Sequence, residues 1–130
     1  MNLLLDTHAV IWWLQDNKKL GPRTRRTMLH HGTEVFISSA SIWEISLKSG
    51  TGRLKLSDSP QTYIPRLLDS GFHPLAITFE HAAAVRDLAP HHTDPFDRLL
   101  IAQAQCENLI FVTADSTIAA YNVRTVDASE

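Results

Sequence analysis

Leu3-Leu4-Leu5-Asp6-Thr7-His8-Ala9 joins a short apolar run to the start of a helical pattern. Three consecutive leucines predict a strand that is buried on both faces, as in a parallel sheet. Between positions 7 and 15, Val10, Trp13 and Leu14 recur at helical spacing, so we expect a helix directly after the strand. The sequence thus begins as a strand, a tight connection that carries an acid, and a helix.

The same alternation of strand and helix patterns continues along the chain. Further strands are predicted at 35–37, 75–77, 109–112 and 123–126. Further helices are predicted at 23–31, from Ser38 or Ser39 to near Gly50, around 64–68, and at 79–88, 95–107 and 116–121. Such alternation favours a parallel sheet, because parallel strands need helical crossovers. We therefore predict the α/β class, as a three-layer α/β/α domain with a mostly parallel sheet of about five strands.

Composition and charge limit the class of protein. Of the 130 residues, 44% are hydrophobic and 20% are charged, which predicts a single globular domain spanning 1–130. The formal net charge of −2 argues against nucleic-acid binding through overall charge, although nucleic acid remains open as a substrate. The lone Cys106 is predicted to be a small buried residue in a reducing, cytoplasmic compartment. We see no signal-peptide pattern and no apolar run long enough to span a membrane.

Two of the predicted strands run into an acid. Asp6 follows the first strand, and Asp115 follows the strand at 109–112. Ligands of parallel α/β sheets bind beyond the carboxyl ends of the strands, so both acids are candidates for a functional site. Each could instead cap the helix that follows it, a role that suits Asp.

Two further acids lie on apolar faces of predicted helices. Asp97 precedes Leu100 by three residues, and Glu44 lies among apolar residues of the helix that starts near position 39. Burying an ionised carboxylate is costly unless it is paired or binds a metal. Salt bridges are the alternative, with Lys48 one helical turn after Glu44 and Arg98 adjacent to Asp97.

The four acids together predict a metal centre. Two like charges about 4 Å apart repel by about 4 kcal/mol at an effective dielectric constant of about 20, so a shared pocket would need a cation. A site made of oxygen ligands selects a hard ion such as Mg²⁺ or Mn²⁺. Such an ion could activate a water molecule for attack on a phosphodiester.

Each of the four acids lies in a longer motif. The motifs are Leu4-Leu5-Asp6-Thr7-His8-Ala9 followed by Trp12, Ser39-Ala40-Ser41-Ile42-Trp43-Glu44-Ile45, Asp94-Pro95-Phe96-Asp97-Arg98-Leu99-Leu100-Ile101-Ala102-Gln103-Ala104, and Val112-Thr113-Ala114-Asp115. Together they resemble the PIN-domain family, and in particular its bacterial VapC-like toxins of type II toxin–antitoxin systems. Their order and spacing match over essentially the whole chain.

The resemblance implies an endoribonuclease that depends on Mg²⁺ or Mn²⁺, hydrolyses RNA by metal-activated water and is neutralised by a small antitoxin. It also implies a homodimer. The catalytic and metal-binding positions of the family carry over onto Asp6, Glu44, Asp97 and Asp115.

Two polar residues near these acids have two interpretations each. The resemblance places Thr113 at a hydroxyl position near the metal, but Thr113 could equally be an ordinary strand-end threonine. Asp94 precedes Pro95, an arrangement that is typical of a helix cap. Alternatively, Asp94 binds the metal or contacts one of its ligands.

Basic residues offer candidate RNA contacts. Arg23, Arg25 and Arg26 lie with two lysines in a basic stretch that could guide phosphates or could be a solvated helix face. Arg98 could contact a phosphate or pair with an acid.

The remaining histidines and tryptophans carry weaker signals. The histidines lack a structural-zinc spacing, His91 and His92 are predicted to lie in a surface loop, and His8 has no assigned role. The three tryptophans could pack in the core or line a groove for an antitoxin segment.

Two alternatives from other classes remain. A phospho-receiver signalling domain also places acids at strand ends, but it needs a lysine after a late strand, and no lysine follows Lys55. A non-catalytic binding module would use the acids only for structure.

Overall fold

The computed structural model describes all 130 residues and contains five strands and six α-helices. The strands are β1 (Asn2–Leu5), β2 (Glu34–Ser38), β3 (His73–Leu75), β4 (Ile110–Thr113) and β5 (Thr125–Asp127). The helices are α1 (Thr7–Leu14), α2 (Pro22–Leu29), α3 (Ser39–Gly50), α4 (Pro60–Asp69), α5 (Phe79–Ala84) and α6 (Pro95–Cys106). Short 3₁₀ turns cover Val85–Asp87 and Ser116–Ala120. None of the helices has the length and apolar character that crossing a bilayer requires.

The strands form one parallel sheet in the order β3-β2-β1-β4-β5. The α/β class and the parallel sheet predicted from the sequence are therefore confirmed. β1 lies at the centre, where Leu3 is aligned with Val35 of β2 and with Ile110 of β4. Because the chain starts in the middle strand, every later strand is added outward from β1.

Both faces of the sheet are covered, as the apolar strands predicted. Leu3 and Leu5 of β1 contribute to a core that includes residues of α1, α2 and α4. Leu4, between them, contributes to a second core with α6. Successive strand residues point to opposite faces, so consecutive leucines fill both cores at once.

Some predicted boundaries shift in the structure. The third strand lies at His73–Leu75 instead of 75–77, and it is an edge strand, where a proline such as Pro74 is tolerated. The helix predicted at 79–88 is α-helical only to Ala84 and then tightens into a 3₁₀ turn. The prediction that Cys106 is buried was wrong, because this last residue of α6 faces solvent.

The fold brings the ends of β1 and β4 together. The backbone N–H of Asp6 donates to the carbonyl of Val112 at 2.9 Å, directly beyond the paired strands. The acids that follow these two strands therefore lie at the same edge of the sheet.

Gly21 is a point of close backbone approach. Its N–H donates to the Ala128 carbonyl at 2.9 Å, and the segment after β5 runs directly over it. A Cβ at this position would lie 2.2 Å from the backbone carbon of Glu130. The contact between α2 and the segment after β5 therefore requires a glycine here.

We predict opposite effects of alanine at two glycines. Gly21→Ala should lower the free energy of unfolding by about 1–3 kcal/mol, because the new methyl group must displace backbone. Gly50→Ala, where nothing lies within 4 Å of the added atom, should raise it by about 0.5–1 kcal/mol. Urea unfolding of the two variants measures both values, and equal effects would contradict the close approach at Gly21.

Candidate metal centre

Asp6 lies between β1 and α1 and borders a shared acidic cluster. Its Oδ1 accepts a hydrogen bond of 2.8 Å from the N–H of Ala9, so the expected capping role is present. Burial raises the pKa of Asp6, and the nearby Asp115 carboxylate acts in the same direction. Thr113 opposes this rise through a hydrogen bond to the Asp6 carboxylate. Asp6 is thus a cap whose carboxylate also faces another acid.

Glu44 lies on the inner side of α3. This helix starts at a serine cap, with Ser38 Oγ accepting from the N–H of Ala40 at 3.0 Å. Glu44 is 3% exposed, and its Oε2 pairs with the ammonium of Lys48, as the salt-bridge alternative predicted. Its Oε1 is buried and has no hydrogen-bond partner. The salt bridge therefore accounts for one of the two oxygens and leaves the other for a ligand.

Asp97 lies in the first turn of α6. The helix is capped by Asp94, whose Oδ1 accepts from the N–H groups of Phe96 at 2.8 Å and Asp97 at 3.1 Å. The capping prediction for Asp94 is therefore confirmed. Burial raises the pKa of Asp97 to about 6, with Asp94 adding to the rise.

The electrostatics of Asp97 also show which acids are neighbours. The charges of Asp6 and Glu44 both raise the pKa of Asp97, whereas His92 lowers it. The cap of α1, a residue of α3 and a residue of the loop before α6 thus act on one carboxylate of α6.

Asp115 is more exposed and is held by several donors. Its Oδ1 accepts from the Thr117 N–H at 3.0 Å and from the Thr117 hydroxyl at 2.7 Å. Burial raises the pKa of Asp115, but hydrogen bonds from Thr117 and His92 outweigh this and lower the pKa below its usual value. Asp115 therefore keeps its negative charge more readily than Asp6 or Asp97.

Thr113, the last residue of β4, links two of the acids. Its buried hydroxyl oxygen accepts from the Asp115 N–H at 3.1 Å and hydrogen-bonds the Asp6 side chain. The hydroxyl therefore fixes the relative positions of Asp6 and Asp115.

His92 lies in the loop before α6, as predicted, but its side chain belongs to the cluster instead of being an uninvolved surface residue. Its Nε2 lies 2.9 Å from Asp115 Oδ2 and 3.3 Å from Asp97 Oδ2. Its Nδ1 accepts from the Asp94 N–H at 3.3 Å, so Nε2 carries the proton and donates to the two carboxylates. The one sequence signal was its position two residues before the cap of α6.

Arg98 does not contact any of the acids. Its guanidinium donates to backbone carbonyls in the segment that precedes α6, those of Val85, Leu88, Ala89 and His92, at 3.0–3.3 Å. This arginine therefore holds the loop that carries His92 instead of facing solvent. Because the guanidinium N–H groups already donate to backbone carbonyls, few remain for the phosphate contact that was one of the two alternatives from the sequence.

The other candidate arginines lie outside the cluster. Arg23 and Arg26 line a hollow that includes Met1, at the amino end of β1, whereas the acids lie beyond its carboxyl end. Arg25 donates to the carbonyl of Asn17 at 2.7 Å and pairs with Asp16 at 3.3 Å. The structure does not bring these three side chains to the acids.

The donor set suits a hard divalent ion. Asp97 and Asp115 offer carboxylate oxygens that lie within 4.8 Å of each other and of His92 Nε2, whose N–H orients them. Glu44 adds a buried oxygen, Oε1, that lacks any partner because its salt bridge with Lys48 uses the other oxygen, and a buried polar atom of this kind is normally paired. Several of the acids have one oxygen fixed by a donor, which orients the carboxylate before any ion binds.

Comparisons with known proteins place this arrangement in a family. The family model of the PIN domain matches residues 3–123. A comparison with curated proteins returns no match.

Several solved structures share the fold along almost the whole chain. A chain of VapBC2 from Rickettsia felis, bound to a DNA fragment from its promoter, superposes with a TM-score of 0.74 at 16% identity and covers 97% of this chain and 98% of that chain. A chain of DNA-bound VapBC from Salmonella typhimurium gives 0.71 at 17% identity, with 98% of both chains covered. A chain of FitAcB from Neisseria gonorrhoeae gives 0.69 at 21% identity, with 97% of both chains covered.

These identities are low, so the superpositions show a shared fold and the match to the family model shows the family. The order of strands, the convergence of acids at the carboxyl ends of β1 and β4, and the match over residues 3–123 agree. The chain belongs to the PIN domain family.

Proposed function

We propose that this chain is an endoribonuclease that depends on Mg²⁺ or Mn²⁺ and acts as the toxin of a toxin–antitoxin pair. The 130 residues would form one nuclease domain. The observation that carries the proposal is the buried, unpartnered Oε1 of Glu44 beside a carboxylate whose pKa is raised to about 6. Such a site is unfavourable without a cation.

The antitoxin partner is supported by the relatives. VapBC2 and FitAcB share the fold over nearly the full chain, and a solved toxin–antitoxin complex from Klebsiella pneumoniae does so at 19% identity with a TM-score of 0.66. We propose that a small antitoxin covers this chain too and that the chain forms a homodimer in the cytoplasm. The phospho-receiver alternative loses support, since the match is to the PIN family and no lysine follows Lys55.

The four acids would hold the ion, with Asp6, Glu44, Asp97 and Asp115 supplying carboxylate oxygens. When bound, a divalent ion acidifies water and offsets negative charge on a phosphodiester. His92 Nε2–H keeps Asp97 and Asp115 in a fixed relative orientation. The Lys48 ammonium neutralises one oxygen of Glu44, which limits the charge that the site carries. Base selection among RNA targets would come from side chains around this cluster.

The first prediction from the proposed function concerns the acids. Asp6→Asn should reduce RNA cleavage at least ~100-fold, because it removes a negative charge from the ion site. Losses of this size are typical when a group that stabilises transition-state charge is removed. The parent should gain thermal stability on addition of Mn²⁺ or Mg²⁺, and the variant should gain less. Cleavage of total RNA and melting curves with and without the ion measure the two effects.

Asp16→Asn is the matched control for this substitution. Asp16 is an exposed acid with a φ of 50°, a conformation that Asn tolerates well, so activity should match the parent. A parent whose stability ignores both ions and which cuts no RNA would instead support a non-catalytic binding module.

The second prediction concerns pH. In the metal-free protein burial raises the pKa of Asp97 to about 6, above its ordinary value of 3.8, so the folded state binds this proton more tightly than the unfolded chain. Stability should therefore fall as the pH rises from about 4 to about 6. Asp97→Asn removes this penalty and should stabilise the metal-free protein by about 2 kcal/mol above pH ~6, with little gain below pH ~4.

Urea unfolding in a chelator, across this pH range, tests the sign. With saturating Mn²⁺ the order should reverse, because the parent then gains the free energy of ion binding. A constant difference between the two proteins at all pH values would contradict the raised pKa of Asp97.

The third prediction concerns His92. His92→Ala should weaken Mn²⁺ binding roughly 10- to 100-fold, as is typical when a partner of a ligating carboxylate is removed. His92→Gln can place an amide N–H near the position of Nε2 and should retain most of the affinity. Calorimetric titration of the metal-free protein measures both; equal affinities for alanine, glutamine and parent would rule out the orienting role.

A further inference from the structure

We propose that Trp43 and Phe96 form a stacking subsite for one base of single-stranded RNA, beside the acidic cluster. This inference rests on the proposed nuclease function and names how the substrate would be held. Both aromatic residues directly precede an acid of the cluster, Trp43 before Glu44 and Phe96 before Asp97. Two helices, α3 and α6, thus each deliver one carboxylate and one aromatic ring to the same region.

The two rings contact each other in a defined geometry. Their centroids lie 5.0 Å apart and their planes meet at 73°, which is an edge-to-face arrangement. An edge-to-face contact covers one face of one ring and only the edge of the other, so it fixes the rings while leaving ring surface free. Trp43 remains 56% exposed despite this contact. A rigid, exposed indole next to the cluster is available to a flat ligand.

The distribution of charge favours a base over other occupants. RNA binding usually draws on phosphate contacts from lysine and arginine. In this chain Lys48 is the only lysine or arginine paired with one of the four acids, and the guanidinium of Arg98 is occupied by backbone carbonyls. Arg23 and Arg26 lie toward the other end of β1.

The cluster itself repels phosphate until an ion is bound, so affinity near the site has to include contacts that do not depend on charge. Base stacking on an aromatic ring is such a contact, and it tolerates different sequences because every base has a π-face. Stacking needs an unpaired base, which points to single-stranded RNA. Trp43 and Phe96 are the aromatic pair adjacent in sequence to two of the acids.

Fluorescence anisotropy with a labelled single-stranded RNA oligonucleotide tests the subsite. The full chain carries Asp6→Asn to prevent cleavage. Binding is measured with Mn²⁺ present, at about 50 and about 200 mM salt. Adding Trp43→Ala should raise the Kd roughly 5- to 100-fold, by the same factor at both salt concentrations, because stacking is not screened. Trp43→Phe should recover part of the affinity, since it keeps a ring.

A matched control separates stacking from a general loss of apolar surface. Leu29→Ala removes another exposed apolar side chain, at the end of α2, and should leave the Kd unchanged. Melting temperatures of the variants should match that of the parent, because the substituted side chains are largely exposed.

Abasic substitutions in the RNA locate the stacked base. One base is removed at each position of the RNA in turn. For the RNA that lacks the stacked base, Trp43→Ala should no longer change the Kd, because the two groups in contact are then already separated. An equal loss for every abasic RNA would overturn the proposal, and so would an unchanged Kd. If Trp43→Ala instead alters self-association in sedimentation while RNA affinity stays constant, the rings serve a protein interface and the subsite is refuted.

The proposed function and the subsite fail separately in this design. If RNA binding depends on Trp43 as predicted but the parent chain never cuts RNA, the nuclease function is refuted and the subsite stands. If the parent chain cuts RNA but Trp43→Ala does not change the affinity for RNA, the nuclease function stands and the subsite is refuted.

Discussion

The burial of several carboxylates beyond the carboxyl ends of β1 and β4 is the main energetic cost in this fold. The parallel pairing of these central strands brings Asp6 and Asp115 to one edge of the sheet, and α3 and α6 bring Glu44 and Asp97 to the same place. Burial, with a smaller contribution from neighbouring carboxylates, raises the pKa values of Asp6 and Asp97, and one oxygen of Glu44 is buried without a partner. The fold tolerates this cost because two apolar cores on either side of the sheet stabilise it.

Neighbouring hydrogen-bond donors hold these carboxylates in a defined arrangement. Thr113 connects Asp6 with Asp115, His92 bridges Asp97 and Asp115, and Lys48 pairs with Glu44. The carboxylates are thereby oriented before an ion binds, so less free energy is spent on organising the ligands. Arg98 extends the same principle one step outward, because it ties down the loop from which His92 reaches the acids.

None of the four candidate arginines contacts the acids, and this shapes how a nucleic acid substrate could be held. The arginines of α2 serve the fold or lie toward the opposite end of β1, and the net charge of the chain is −2. A bound cation and aromatic surface would then replace the usual basic track. Such a site would hold RNA locally, at a few nucleotides, and with less sensitivity to salt than a basic groove.

Local pattern in the sequence determined the class of fold, the caps at Asp6 and Asp94, and the candidate acids, because strand alternation, cap residues and short motifs are properties of neighbouring positions. The PIN resemblance rested on the same local motifs. Only the tertiary structure decided which side chains surround those acids. The side-chain partners of His92 and Arg98 could not be predicted from the sequence, because they depend on how the loop before α6 folds back. The packing of α2 against the segment after β5 places its arginines away from the acids. Long-range contacts of this kind leave no periodic trace in the sequence, since each depends on backbone geometry set elsewhere in the chain.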